Sequence, residues 1–225
     1  MAGSDFRPRF YIKSLITNVP MKIGIDGFRL SRQFKGDPGP HVKLISDMAD
    51  YFPETDFLIY LTSLSGEVEK SRLASMHNIR FCLPAPSGFS GEMWRKFGIT
   101  NNLGPDKVDL YHGICDELPL NINEAGVKAI LTLTSDPTKE EGNRWINRLK
   151  RKMKEYIIEK SVKKADLIIV PDDLLKSRIA ENYVISPHKI KVIAGLENPK
   201  SYSAALMNVY REIPERHSGS TSLEV

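Results

Sequence analysis

Residues 106–120 read DKVDLYHGICDELPL, and this stretch predicts the end of a buried strand in an α/β sheet. An alternating apolar run from Val108 to His112 stops at Gly113, and Asp116 and Glu117 follow directly. In α/β sheets, ligands bind at the carboxyl ends of the strands. We therefore expect the loop after this strand to present side chains to a ligand.

The rest of the chain continues the same pattern, because short apolar runs alternate with helical periods on both sides of this stretch. That alternation is typical of βα units in a parallel sheet. The predicted fold class is therefore α/β, a Rossmann-like parallel sheet flanked by helices. The predicted strands are Lys22–Asp26, Phe57–Leu61, Ile79–Leu83, Val108–His112, Ala129–Leu133, Leu167–Val170 and Lys191–Ile193.

Length and composition favour one large domain at 21–213, preceded by an extension at 1–20 and followed by a disordered tail at 214–225. The chain has 225 residues, 41% hydrophobic content and a net charge of +4. This mild charge permits an anionic ligand or a lipid surface without requiring either. Its two cysteines, Cys82 and Cys115, lie far apart and have no metal-type spacing, so we expect no disulfide framework and no metal site. No cofactor is expected. No apolar run approaches a membrane span, and a cytoplasmic location is expected.

A long basic helix is predicted at 143–164. The residues expected on its buried side are Trp145, Ile146, Leu149, Met153, Tyr156, Ile157 and Val162. Its basic face could meet anionic lipid headgroups at the inner membrane surface, a phosphorylated acceptor or nucleic acid. Nucleic acid is the least favoured of these, because no stacking platform accompanies the charge. An ordinary solvated helix face explains the same charges.

The segment 21–40 reads MKIGIDGFRLSRQFKGDPGP and brings several glycines to the end of the first strand. Gly36 and Gly39 would let a ligand approach the backbone, next to a helix amino terminus that accepts anions. The spacing matches neither a dinucleotide-binding nor a Walker loop, so a flexible turn is an equal interpretation.

Several segments in order resemble the amino-terminal half of family 4 glycosyltransferases of GT-B fold. They cover about 21–193 and include MKIGID, YFPETDFLIYLT, WRKFGI, YHGICDELPL, VKAILTLTSD and KKADLIIVPDDLLKSRI. The resemblance implies an acceptor-binding domain that faces a second, nucleotide-sugar-binding domain. That second domain has no counterpart after Ile193, where the chain passes into a segment at 200–213 that resembles the family's returning helix. An internal loss of the donor domain is the expected cause.

The resemblance also assigns site residues. Gly36 and Gly39 would border the donor phosphates, and His112, Gly113 and Glu117 would line the acceptor cleft. The family's His-Asp pair is altered, since Thr134 stands where the histidine is expected, and Asp136 would be the remnant catalytic carboxylate.

Three functions remain open at this stage. The first is a glycosyltransferase-related domain, incomplete alone, that binds a glycan or lipid-linked acceptor and is completed by a donor-domain partner chain or by self-association. The second is a non-catalytic binding or regulatory module. The third, and the least supported, is an independent enzyme using His112, Asp116 or Glu117 as acid or base. A lone histidine at a strand end is more often structural, and loop capping explains the two carboxylates equally well.

Overall fold

The computed structural model of the chain describes residues 21–33, 39–69, 71–85, 90–136, 145–195 and 198–213. Seven parallel strands form one sheet in the order β3-β2-β1-β4-β5-β6-β7. Their bounds are β1 Lys22–Asp26, β2 Asp56–Tyr60, β3 Ile79–Cys82, β4 Leu110–Gly113, β5 Lys128–Thr132, β6 Leu167–Val170 and β7 Ile190–Val192. The α/β fold class and all seven strand positions predicted from the sequence are therefore confirmed.

Helices cover both faces of the sheet. The α-helices are α1 Leu30–Gln33, α2 Gly39–Tyr51, α3 Gly66–Glu69, α4 Gly91–Met93, α5 Thr100–Leu103, α6 Trp145–Lys164, α7 Asp173–Tyr183 and α8 Pro199–Glu212. A π-helical turn at Trp94–Gly98 joins α4 to α5, and short 3-10 helices lie at Arg72–Ser75, Ile122–Ala125 and Pro187–Lys189.

Two hydrophobic clusters fill the spaces between the sheet and its helices. The first cluster packs residues of α1, α2, α3, α8 and the 3-10 helix 72–75 against one face of the sheet. We call these five helices the α2 layer. The second packs residues of 91–103, α6 and α7 on the other face, and we call these segments the α6 layer. Successive side chains of a strand point to opposite faces of the sheet. Because both faces are covered by helices, neighbouring strand residues pack into different clusters.

Helix α6 differs from its predicted orientation in one respect. Ile157 and Val162 are buried as expected, but Met153 is 63% and Tyr156 is 54% exposed. The prediction that these two residues pack into the core is wrong, because the apolar side of the helix is narrower than the sequence pattern indicated. The side chains of Trp145, Ile146 and Leu149 lie outside the described part of the structure. Within the described residues, no helix combines the length and apolar character that crossing a bilayer requires.

Helix α7 begins with a side-chain cap. The carboxylate of Asp172 accepts a hydrogen bond of 2.7 Å from the backbone N–H of Leu175, capping the helix amino terminus. Helix α8 returns to pack against α2. Its residues Tyr202, Leu206, Met207 and Tyr210 are buried, so α8 completes the core of the domain.

Candidate functional site

The strand order changes direction between β1 and β4, which are hydrogen-bonded neighbours in the sheet. Successive strands from β1 to β3 extend the sheet one way, and those from β4 to β7 extend it the other way. In such sheets a crevice opens above the carboxyl ends of the two strands at this switch point. The residues that end β1, β4 and β5 are therefore the first candidates for binding a ligand.

A cleft of about 100 Å³ lies above the carboxyl ends of these strands. Its floor is mostly apolar, and a few polar groups interrupt it. The lining residues are His41, Leu44, His112, Ile114, Thr132, Leu133, Thr134, Pro171, Ile193 and Tyr202. We call this the switch-point cleft. An apolar pocket with a few convergent polar groups is the usual form of a small-molecule site.

His112, the third residue of β4, lies fully buried at the base of the cleft. Its Nδ1 is 2.6 Å from the Tyr210 hydroxyl, and its Nε2 is 2.7 Å from Oγ1 of Thr132. Burial lowers the pKa of this imidazole to about 3, so the ring is neutral at physiological pH. A neutral ring donates through one nitrogen and accepts through the other, so both nitrogens of His112 are already used inside the protein.

His41 is the second imidazole of the cleft, and it comes from the first turn of α2. Gly39 and Pro40 begin this helix, and proline is favoured there because its missing N–H would be unpaired anyway. His41 is buried, yet its Nδ1 has no hydrogen-bond partner among the described residues. Burial, and then the positive charge of Arg29, lower the pKa of His41, so this ring is also neutral. An unpaired buried nitrogen is costly unless a ligand or water satisfies it.

Asp116 lies in the loop after β4 and connects the cleft residue Thr134 to Arg29, which follows β1. Its carboxylate accepts hydrogen bonds from the backbone N–H of Thr134 at 2.9 Å and from the Thr134 hydroxyl at 3.2 Å. It also pairs with the Arg29 guanidinium at 3.3 Å. Asp116 has a φ of 62°, in the left-handed region that aspartate tolerates better than most residues. This carboxylate therefore holds Thr134 at the rim of the cleft.

A buried ion cluster lies beside the cleft, where β1 ends. The Arg95 guanidinium donates to both carboxylate oxygens of Asp26, with its shortest bond at 2.6 Å, and to Glu117 at 2.5 Å. The π-helical turn at 94–98 brings Arg95 to this position. Burial alone would lower the pKa of Arg95, but its two acidic partners raise it overall. The guanidinium is thus permanently charged and neutralises Asp26.

The residues predicted as a site do not all lie together. His112 lines the switch-point cleft, and Gly39 begins the helix that carries His41. Glu117 belongs to the ion cluster with Arg95. Asp136 lies 3.5 Å from Arg178 of α7. Gly36 lies outside the described residues.

Gly113 has a steric role next to this site. A Cβ atom on Gly113 would lie 2.3 Å from the backbone oxygen of Glu117. Only glycine therefore allows the loop 114–118 to fold back across the end of β4, which places Glu117 beside Arg95 and Asp116 beside Thr134.

Three polar lining residues were not identified from the sequence, namely His41, Thr132 and Tyr202. His41 could have been recognised, because it directly follows Gly39-Pro40 at the start of a helix after β1. Thr132 and Tyr202 gave no such signal, since one ends an ordinary strand and the other comes from α8. Among the described residues, no group of three His, Cys, Asp or Glu side chains could hold a metal ion.

Comparisons with known proteins give structural similarity only. No family model and no curated protein match the sequence. A glycosyltransferase from Rickettsia africae ESF-5 shares 15% identity over 78% of this chain and 43% of its own, with a TM-score of 0.46. A UDP-N-acetylglucosamine 2-epimerase shares 16% identity over 77% of this chain and 45% of its own, also with a TM-score of 0.46.

The complex of Arabidopsis thaliana UGT89C1 with UDP-L-rhamnose shares 13% identity over 88% of this chain and 56% of its own, with a TM-score of 0.46. The chain thus spans about half the length of the solved proteins it matches. At these identities and TM-scores the similarities assign neither a family nor an activity. The site itself is therefore the basis for a functional proposal.

Proposed function

We propose that this chain is a glycosyltransferase-related domain of GT-B type that binds a sugar-containing ligand in the switch-point cleft. The observation that carries the proposal is the buried Nδ1 of His41, which lines the cleft and has no partner among the described residues. Buried polar atoms in folded proteins are nearly always paired. A ligand hydroxyl is a suitable partner for this nitrogen.

The chemistry of the cleft supports a carbohydrate over a fully apolar or a strongly charged ligand. A sugar ring carries hydroxyl groups around its edge and apolar C–H faces above and below. The His41 imidazole and the Thr134 hydroxyl at the rim could bond such an edge. The apolar side chains of Leu44, Ile114 and Ile193 could contact a ring face. Both imidazoles of the cleft are neutral, which does not favour an anion at that point.

The reaction related to this fold is attack of an acceptor hydroxyl on the anomeric carbon of a nucleotide-sugar, and we propose that this chain alone does not perform it. A general base must hold a free acceptor site for the proton of the attacking hydroxyl. His112 has both nitrogens bonded internally, and Thr134 cannot hold a proton at neutral pH as an imidazole can. His41 offers an unpaired nitrogen, but its lowered pKa makes it a weaker base than an ordinary imidazole.

On this proposal the acceptor is a glycan or a lipid-linked sugar, and a nucleotide-sugar would be supplied by a partner chain or by a second copy of this one. The family 4 assignment made from the sequence segments belongs to the same proposal. The role of Gly39 at the donor phosphates and the role of Asp136 in catalysis are also part of this proposal.

A second candidate function is a non-catalytic binding or regulatory module that keeps the glycosyltransferase fold. The closed hydrogen-bond system around His112 favours it, because a histidine used to fix β4, β5 and α8 together serves stability and not proton transfer. Both functions require a ligand in the cleft, and they differ in whether turnover occurs once a donor domain is added.

Calorimetric titration of the purified chain tests both candidate functions. The ligands are nucleotide-sugars, free nucleotides and free monosaccharides. We expect binding of a sugar-containing ligand without turnover. His41→Ala should weaken that binding about fivefold to tenfold, which corresponds to one neutral hydrogen bond. Thr134→Val should weaken it by a similar factor. Hydrolysis and transfer are measured in the same samples, with and without candidate acceptors.

A matched control is His77→Ala, since His77 is exposed near the amino-terminal ends of the strands, away from the cleft. It should leave binding unchanged. Transfer by the chain alone would contradict the proposed incompleteness and would require a donor site built by self-association. Failure of every sugar and nucleotide-sugar to bind would overturn the proposed function.

A further inference from the structure

Exposed apolar side chains are concentrated on one side of the molecule. Among the described residues, eight large apolar side chains are exposed. Six of them belong to the α6 layer or directly follow it, and they are Met93, Phe97, Met153, Tyr156, Leu174 and Val184. The α2 layer exposes only Tyr51 among the described residues. Exposed apolar groups on one side of a soluble fold often mark an interaction surface.

Positive charge is concentrated in the same layer. Helix α6 contains eight basic and two acidic residues, the segment 91–103 contains two basic and one acidic, and α7 contains two of each. Without Arg95, which is buried against Asp26 and Glu117, the layer has eleven basic and five acidic residues. The α2 layer has five of each, counted over its helices. Most of the excess positive charge of the helices therefore lies on the side that also exposes the apolar groups.

Helix α6 shows how the two properties combine. Met153 and Tyr156 are one turn apart, so they share the outer face of the helix, and Lys152 and Lys163 are exposed beside them. The ammonium group of Lys160 lies 5.3 Å from the centre of the Tyr156 ring. Apolar and aromatic side chains surrounded by lysines are the composition of helices that lie in the interface of an anionic bilayer.

We propose that the α6 layer docks on the surface of an anionic phospholipid membrane, with α6 as the main contact. Lysines near such a surface are attracted to the lipid phosphates, and long side chains such as Met and Tyr can enter the headgroup region. This assignment explains the exposed Met153 and Tyr156 together with the charge asymmetry, whereas a simple solvated helix face explains only the charge. It goes beyond the sugar-binding function, since it concerns a different surface of the domain.

Vesicle flotation with the full chain tests the proposal. The chain should float with vesicles of phosphatidylcholine mixed with phosphatidylglycerol and stay in solution with phosphatidylcholine alone. Raising the salt concentration should weaken binding, because it screens the attraction. The double variant Tyr156→Ser/Lys160→Gln should bind about 20-fold more weakly, as it loses one aromatic contact and one lysine.

The α2 layer supplies a closely matched control. There the Lys200 ammonium lies 5.6 Å from the centre of the exposed Tyr51 ring, the same arrangement on the opposite side of the sheet. The double variant Tyr51→Ser/Lys200→Gln should float like the parent protein. All variants are compared by circular dichroism and thermal midpoint to establish equal folding.

Three results would overturn the membrane assignment. One is equal partition of the chain between neutral and anionic vesicles or no flotation with either. Another is an equal loss of flotation in the Tyr51/Lys200 control. The third is binding to soluble RNA or heparin that matches vesicle binding and is unaffected by Met153→Ser, since that would show attraction to any polyanion.

Discussion

The Nδ1 of His112 in β4 lies 2.6 Å from the hydroxyl oxygen of Tyr210 in α8, although 98 positions separate the two residues. Their rings meet edge to face with centroids 5.6 Å apart. Because Nε2 of His112 also lies 2.7 Å from Oγ1 of Thr132, one imidazole connects β4 and β5 to α8. This connection fixes the base of the switch-point cleft.

Tyr210→Phe should destabilise the protein by about 1–3 kcal/mol, because it leaves a fully buried imidazole nitrogen without a partner. The free energy of unfolding in urea measures the effect. Tyr51→Phe is the control, since Tyr51 is 45% exposed and its hydroxyl can bond water. Equal stabilities of the two variants would show that the His112–Tyr210 hydrogen bond contributes nothing.

Stability should fall with acidification below about pH 6.5. The pKa of His112 is about 3 in the folded protein and ordinary, 6.5, in the unfolded chain, so the unfolded chain binds the extra proton between these values. The contribution that the neutral His112 makes to the free energy of unfolding is complete above pH 6.5 and is lost as the pH falls toward 3. At pH 5 the loss is about 2 kcal/mol relative to neutral pH. His41, whose pKa is also lowered, adds a loss of the same sign.

Urea unfolding measured from pH 5 to pH 8 checks this expectation, because few carboxylates titrate in that range. A flat profile between pH 5 and pH 7 would mean that neither buried imidazole resists protonation.

Gly113→Ala should destabilise the protein by about 1–3 kcal/mol and displace the loop that follows β4. The added Cβ would lie 2.3 Å from the backbone oxygen of Glu117 and 2.9 Å from Cδ2 of Leu118. Gly66→Ala is the matched control, because nothing lies within 4 Å of a Cβ there. Thermal denaturation of both variants gives the comparison, and an unaffected Gly113→Ala protein would contradict the described loop position.

Arg95→Met should cost about 3–5 kcal/mol, because it leaves the carboxylate of Asp26 buried without its cation. Asp26 is only 1% exposed, whereas Glu117 is 21% exposed and can reach water. Glu117→Gln should therefore be milder than Arg95→Met. Chemical denaturation of the three proteins tests this order.

The double variant Asp26→Leu/Arg95→Met separates charge burial from packing. It should recover most of the stability lost in Arg95→Met, since an apolar pair needs no neutralisation. If the double variant is less stable than Arg95→Met alone, the ion pair contributes through its hydrogen bonds and geometry instead.

Much of the fold could be predicted because strands and helices leave periodic patterns in the sequence. Every strand lies within two residues of its predicted position, and α6 and α8 lie where helices at 143–164 and 200–213 were expected. The buried side of α6 was predicted less well, and Met153 and Tyr156 are exposed. Periodicity indicates which residues share a face, but the neighbouring elements decide how wide the buried part of that face becomes.

The candidate site was only partly predictable. His112 was identified because it ends an apolar run before a glycine, a local feature. His41, Thr132 and Tyr202 join it from α2, β5 and α8, and no local pattern connects them. The internal hydrogen bonds of His112 were equally invisible, since they depend on residues 20 and 98 positions away.

The sequence by itself determined the kind and order of the secondary-structure elements, because hydrophobic period, glycines and helix caps act between residues close together along the chain. Only the tertiary structure decided that β1 lies beside β4, that α8 packs against α2, and that two neutral imidazoles meet in one cleft. Those relationships depend on the direction of each crossover and on the burial of distant side chains. The free energies that decide these contacts depend on the packing of the whole core, so no short sequence pattern reveals them.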